Sequence, residues 1–265
     1  MTPATGTPAQ PRRSLLLLES RAALDVARML APLAASSLRK TPEDTSTLAI
    51  VVPGFSSGDS YTLPLRRFLK RQGFRAEGWG LGTNLAGTNL EHSQEDLSER
   101  WNFTRREDYR GEAGVPYLID RFHDRVVERY GDTGRKISLI GWSLGGYIAR
   151  EVARDLPDVV ERVITLGSPT VGGPKYTAAA PFFDKQGMDL DWIEEEITRR
   201  EARPISQPIT AIFSKTDAIV DWNAAVDQHS PNVNHIEVDA AHLGMGFNPS
   251  IWSHVVEAMR GKSAR

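Results

Sequence analysis

The chain has 265 residues, with 32 basic and 34 acidic side chains for a formal net charge of -2, and no cysteine. That length suffices for one large domain, and charges mixed along it leave no single-sign block to track a phosphate backbone, which argues against a nucleic-acid partner. Without thiols, a disulfide framework, a cysteine nucleophile and thiolate zinc sites are excluded.

In chain order, residues 1–13 are rich in Thr, Pro, Ala and Gly and read as a disordered tail. Leu15, Leu18, Ala22, Val26, Met29 and Leu33 then recur at helical spacing, which predicts a helix over 14–39. It either packs on the domain or serves as a membrane-surface or dimer helix, and its weakly basic polar face favours packing. Arg12-Arg13 followed by Leu15 to Leu18 resembles a signal peptide, but Glu19, Arg21, Asp25 and Arg28 cut the apolar run short, so a cytoplasmic location is expected. With a polar linker at 41–46, residues 1–46 form an N-terminal appendage to a domain over 47–265.

Leu48 to Val52 is a short continuous apolar run ended by Pro53-Gly54, as suits a strand buried on both faces of a parallel sheet. Helical spacing resumes at Leu63 and stops at Gly73. Phe74 to Trp79 reads as the next strand, with Gly80, Gly82, Asn84 and Gly87 in its exit loop. Polar residues 90–112 form an insertion, Val115 to Tyr130 a helix closed by Gly131 and Gly134, and Ile137 to Ile140 a strand. Gly141-Trp142-Ser143-Leu144-Gly145-Gly146 follows and runs into a helical pattern. Strand, turn, serine and helix in this order are the context of a nucleophile elbow, whose strained turn lifts the hydroxyl above the sheet while the glycines let strand and helix approach. The bland alternative is an ordinary helix-capping serine.

Val159 to Leu166 is a further buried strand. Residues 170–206 break the rhythm with Gly172-Gly173-Pro174, Phe182-Phe183 and the stretch Asp189 to Ile197, and predict an inserted helical cap. Strands at Ile209 to Phe213 and His235 to Val238, each followed by a helical segment, the last at 249–260, complete an alternation that implies a mostly parallel sheet with helices on both faces.

Ligands of such sheets bind beyond the carboxyl ends of the strands, and a serine hydroxyl needs a base that is itself oriented by an acid. Of the six histidines, His123 and His254 fall in predicted helices, His235 opens a strand at the wrong end, and His92 and His229 sit in loops with no strand ending beside them. His242, at the exit of the last strand, is the expected general base. Asp217 follows strand 209–213 and is the expected acid; Asp221, just before a helical stretch, reads better as an N-cap. The amides of Leu144 and Phe55 are expected to stabilise a developing oxyanion. The apolar residues of 170–206 are more than one helix can hide, so Phe182, Phe183 and Trp192 are expected to line a substrate cleft.

The elbow, the order Ser143, Asp217, His242 and the Pro53-Gly54-Phe55 loop together resemble the α/β-hydrolase superfamily, specifically its bacterial lipase-like esterases. Trp79-Gly80-Leu81-Gly82-Thr83-Asn84, Thr165-Leu166-Gly167-Ser168-Pro169 and Ser214-Lys215-Thr216-Asp217 with Val220 are similar to a lipase-like subgroup. The resemblance covers about residues 47–260 and implies an α/β-hydrolase fold and a triad that cleaves small-molecule or lipid esters through an acyl-enzyme on Ser143. No metal or organic cofactor is expected, and transient contact with a lipid surface is compatible. Ala240-Ala241-His242-Leu243 departs from the glycine, serine or cysteine that relatives often place around that histidine. The same triad would serve an acyltransferase or a polyester depolymerase. The non-enzymatic alternative is a hydrolase-fold protein whose N-terminal helix and cap bind a partner.

Overall fold

The strands are β1 (Leu48–Val52), β2 (Arg75–Gly78), β3 (Ile137–Trp142), β4 (Val160–Leu166), β5 (Ile209–Phe213) and β6 (Val233–Glu237). They pair in the order β2-β1-β3-β4-β5-β6, and every neighbouring pair is parallel. The α-helices are α1 (Ala22–Ser37), α2 (Asp59–Arg71), α3 (Gly114–Thr133), α4 (Leu144–Asp155), α5 (Ala180–Lys185), α6 (Leu190–Glu201) and α7 (Pro249–Met259). This computed structural model describes residue 3 and residues 6–37, 47–101 and 109–261; the expected linker at 41–46 and positions 102–108 of the expected insertion lie outside them.

Alternation along the strands divides the core in two. Leu48, Ile50 and Val52 pack with Leu118, Ile119 and Phe122 of α3 and Ile148 and Val152 of α4. Ala49 and Val51 pack on the opposite face with Leu65, Phe68 and Leu69 of α2 and Ile251, Trp252 and Val255 of α7. A strand covered on both faces has no solvated side to mark with polar residues, which is why β1 reads as an unbroken apolar run.

Several boundaries differ from expectation. Helix α2 starts at Asp59, before its first apolar residue, because the Asp59 carboxylate accepts from Trp79 N (3.0 Å) and Gly80 N (3.2 Å) and so ties the helix start to the end of β2. Helix α3 runs through Gly131 and stops at Gly134, whose φ of 61° is the left-handed cap that only one of the two glycines needs to supply. His235 lies in the middle of β6, not at its start. In place of one helix over 14–39, a 3-10 helix (Arg13–Arg21) leads into α1. Gly6 N and Ala9 N donate to Asn223 Oδ1 (2.8 Å) and Asp221 Oδ2 (2.6 Å), so part of the stretch expected to be disordered is docked beside the loop after β5.

Segment 170–206 holds a 3-10 turn (Gly173–Tyr176) and the helices α5 and α6. Among the described residues no helix is long and apolar enough to cross a membrane.

Candidate active site

Ser143 sits between β3 and α4 with φ 54° and ψ -128°, one of few non-glycine residues at positive φ. Such a conformation costs on the order of 1–3 kcal/mol and persists only where its surroundings enforce it. Here Ser143 N donates to Leu166 O (2.8 Å) and Gly146 N to Ser143 O (2.9 Å), while α4 is pressed onto the sheet through Ile148 and Val152. The closeness is visible at two glycines: a Cβ on Gly141 would lie 2.3 Å from Gly145 O, and one on Gly145 would lie 2.4 Å from Val52 O. Any side chain at either position would force β1, β3 and α4 apart.

His242 follows β6 and starts a one-turn 3-10 helix (His242–Gly244). Its Nδ1–H donates to Asp217 Oδ2 at 2.7 Å, with both side chains 2% exposed. The other oxygen of Asp217 accepts from Ile219 N and Val220 N, each at 2.8 Å, so the carboxylate is fixed by its own loop. Gly167, at the end of β4, leaves room for the pair: a Cβ there would lie 3.1 Å from both Asp217 Oδ2 and His242 Nδ1. Asp221 accepts from Asn223 N (3.2 Å) and caps a 3-10 turn, Trp222–Ala225, away from the histidine. Among the described residues no hydrogen bond joins Ser143 Oγ to His242, yet both residues line one cavity and Nε2 is the ring nitrogen that Asp217 leaves free. Hydrogen bonds of this kind are often long until a substrate closes them.

The loop after β1 passes against the serine, since a Cβ on Gly54 would lie 2.9 Å from Ser143 Cβ. Buried Asn84 holds this loop: its Nδ2 donates to Pro53 O (2.8 Å), and its backbone exchanges bonds with Ser56 N (2.7 Å) and Ser57 O (2.8 Å). Leu144 is the first residue of α4, so its N–H has no acceptor inside the helix. Phe55 and Leu144 both border the cavity that Ser143 lines. Asn84 belongs to a motif noticed in the sequence, but its part in bracing the Phe55 loop is set by a contact between two loops.

The cavity measures about 180 Å³. Phe55, Trp142, Ser143, Leu144 and His242 border it on the sheet side, and Phe183, Met188, Trp192, Ile193 and Ile197 on the side of 170–206. Phe182 does not line it; that ring is 42% exposed and packs edgewise on Phe183 and against Phe55. Consecutive residues of a helix point about 100° apart, and here Phe183 is the one turned to the cavity.

Trp101, Glu112, Val115 and Tyr147 also line it, and sequence reasoning assigned none of them to it. Trp101 comes from a polar stretch in which nothing marks it as different from a surface aromatic. Arg200 also borders the cavity, its guanidinium 4.2 Å from the centroid of the Trp101 ring and paired with Asp155 (2.9 Å) and Glu151. Burial pushes the Glu196 carboxyl above its usual range despite its pairing with Arg199.

Residues 28–261 match the alpha/beta hydrolase family, to which this chain therefore belongs. Among solved structures it is similar to an esterase of Pyrococcus furiosus, with 16% identity over 84% of this chain and 85% of that one and a TM-score of 0.51. It is also similar to a monoacylglycerol lipase of Paleococcus ferrophilus (14% identity, 83% and 96% covered, TM-score 0.53). A third similar structure is the naproxen esterase of Bacillus subtilis (12% identity, 83% and 85% covered, TM-score 0.53). No curated protein matches the chain. At these identities the structural likeness speaks for the fold, and chemistry has to be argued from the site.

Proposed function

We propose that the chain is a serine hydrolase of carboxylic esters. The observation that carries this reading is the buried 2.7 Å Asp217–His242 pair opening, through the other ring nitrogen, onto the same apolar cavity as a serine held at φ 54°. His242 Nε2 takes the Ser143 proton as Oγ attacks the ester carbonyl, and Asp217 holds the imidazole in the required tautomer and stabilises the imidazolium. The oxyanion is bound by the N–H groups of Leu144 and Phe55. His242 then protonates the departing alcohol, and water, activated by the same histidine, releases the acid from Ser143.

An esterase or lipase activity, like those of the similar proteins, fits a cavity walled by Phe183, Trp192 and Ile197. An apolar cavity of roughly 150 Å³ accepts a benzene ring, so about 180 Å³ suits an acyl group of short to medium length. Segment 170–206 acts as the cap over it. The test is hydrolysis of p-nitrophenyl esters together with fluorophosphonate labelling. Ser143→Ala should lose about a millionfold in turnover while remaining folded. Labelling at another residue, or more than a few per cent residual turnover, would rule out this mechanism.

A further inference from the structure

Glu19 stands 223 positions before His242 in sequence, yet its carboxylate is bonded to the backbone on which His242 rides. Oε1 accepts from His242 N at 3.0 Å and from Ala218 N at 3.3 Å, and Oε2 accepts from Leu243 N at 3.0 Å. Ala218 directly follows Asp217. One carboxylate therefore bridges the loop that presents the acid and the loop that presents the base.

We propose that Glu19 is a positioning residue for the Asp217–His242 pair. This role rests on the assignments made above for Asp217, His242 and Ser143. His242 and Leu243 open a 3-10 turn, so their N–H groups have no partner within it, and each would otherwise turn to water at the rim of the cavity. The carbonyls of the same two residues are held from the opposite side. Trp142 Nε1 donates to His242 O (3.1 Å) and Tyr61 Oη to Leu243 O (2.7 Å), with the Tyr61 and Trp142 rings stacked at 4.1 Å. The core thus fixes the carbonyl side, and the amide side depends on the N-terminal segment.

That segment is anchored around Glu19. Arg21 makes a two-pronged pair with Asp239 (3.0 and 2.9 Å), and Asp239 also accepts from Thr216 Oγ1 (3.0 Å) beside the acid. Asp25 accepts from Asn248 Nδ2 (3.0 Å) beyond the base loop, and a Cβ on Gly244 would come within 2.3 Å of its Oδ2. A segment that only covered apolar surface would not need a carboxylate on three backbone donors from two loops. Charge-assisted bonds of this kind are about twice as strong as neutral ones, and they act on the separation that the Asp217–His242 bond depends on.

The test reads that bond directly. In full-length protein with ¹⁵N-labelled histidine, the His242 Nδ1 proton should give a strongly deshielded resonance, identified by its loss in Asp217→Asn. In Glu19→Ala and Glu19→Gln the resonance should move upfield or broaden through solvent exchange, and kcat on the best ester should fall about 10- to 100-fold with KM nearly unchanged, the scale expected for sub-ångström misplacement. Leu17→Ala, on an exposed side chain of the same 3-10 helix, should change neither. If Glu19→Ala does not fold, Glu19→Gln carries both readouts. An unchanged resonance together with unchanged kcat would overturn the role. If the wild type hydrolyses no ester while the resonance still responds to Glu19, the positioning role stands and the ester reading falls.

Discussion

Arg150 on α4 is almost wholly buried and lies between two acids that are distant in sequence: Asp227 Oδ2 at 2.5 Å and Glu201 Oε1 at 3.3 Å. Arg150→Met keeps the length of the aliphatic stem and removes the charge. Deleting one partner of a buried pair usually costs about 3–5 kcal/mol, because a charge is left without compensation. Two features favour the lower end. Glu201 keeps Arg154 at 2.9 Å, and Asp227 Oδ1 keeps the N–H groups of His229 (2.9 Å) and Ser230 (3.0 Å). The expected loss is therefore about 3 kcal/mol, read as a lowered urea midpoint at constant m.

The pH dependence sharpens the test. Burial by itself would raise the Asp227 carboxyl, but the Arg150 charge and hydrogen bond, with the two backbone donors, hold it well below the ordinary range. Its folded pKa is thus below the unfolded one, so its contribution is present above about pH 4 and disappears as the pH falls further. Without Arg150, burial dominates and the folded pKa rises above the unfolded value. The variant's penalty is then largest at neutral pH and is relieved as Asp227 takes up a proton. The stability gap between wild type and Arg150→Met should shrink steadily from pH 7 downward. A gap below about 1 kcal/mol at pH 7, or one that widens on acidification, would refute this account of the network.

Further outcomes are expected for the acid, for the neighbouring aspartate and for the cavity wall. Asp217→Asn should slow ester turnover by about ten-thousandfold, since the amide can hold His242 in the wrong tautomer. Asp221→Ala should leave the chemistry intact and cost about 1 kcal/mol as a lost cap; kinetic penalties in the reverse order would make Asp221 the acid. Each methylene of an acyl chain that enters the cavity adds about 0.8 kcal/mol, or roughly fourfold in kcat/KM. Phe183→Ala should alter the C2 to C12 chain-length profile while Phe182→Ala leaves it in place, and equal shifts in both would contradict the inward and outward assignment of the two rings.

The elements that could be read from the sequence are those whose signal is local. The run Leu48 to Val52, the elbow glycines and Asp217 and His242 just beyond strand ends each carry their meaning within a few residues, because strand burial and turn sterics act at that range. Two adjacent aromatics such as Phe182 and Phe183 give no indication of which one a helix turns inward. In the sequence Glu19 is an interruption of an apolar run. Its bonds to Ala218, His242 and Leu243 are made by chain brought together only in the folded protein, and a lone glutamate carries no mark of them. The 3-10 winding of Arg13–Arg21 follows the same logic, as tertiary bonds override a pattern that by itself suits an α-helix.

Helix α4 gives the clearest case of a pattern with two meanings. Arg150, Glu151, Arg154 and Asp155 lie on one side of it, and such a row of charges commonly marks a solvated face. In the fold it meets α6 and the residues just after it: Arg200 pairs with Glu151 and Asp155, Glu201 with Arg150 and Arg154, and Arg203, past the helix end, with Asp155. Helix α4 starts at the residue after Ser143, and α6 carries Trp192, Ile193 and Ile197 to the cavity. The ion pairs on α4 therefore tie the helix that follows Ser143 to the helix that forms one wall of the cavity.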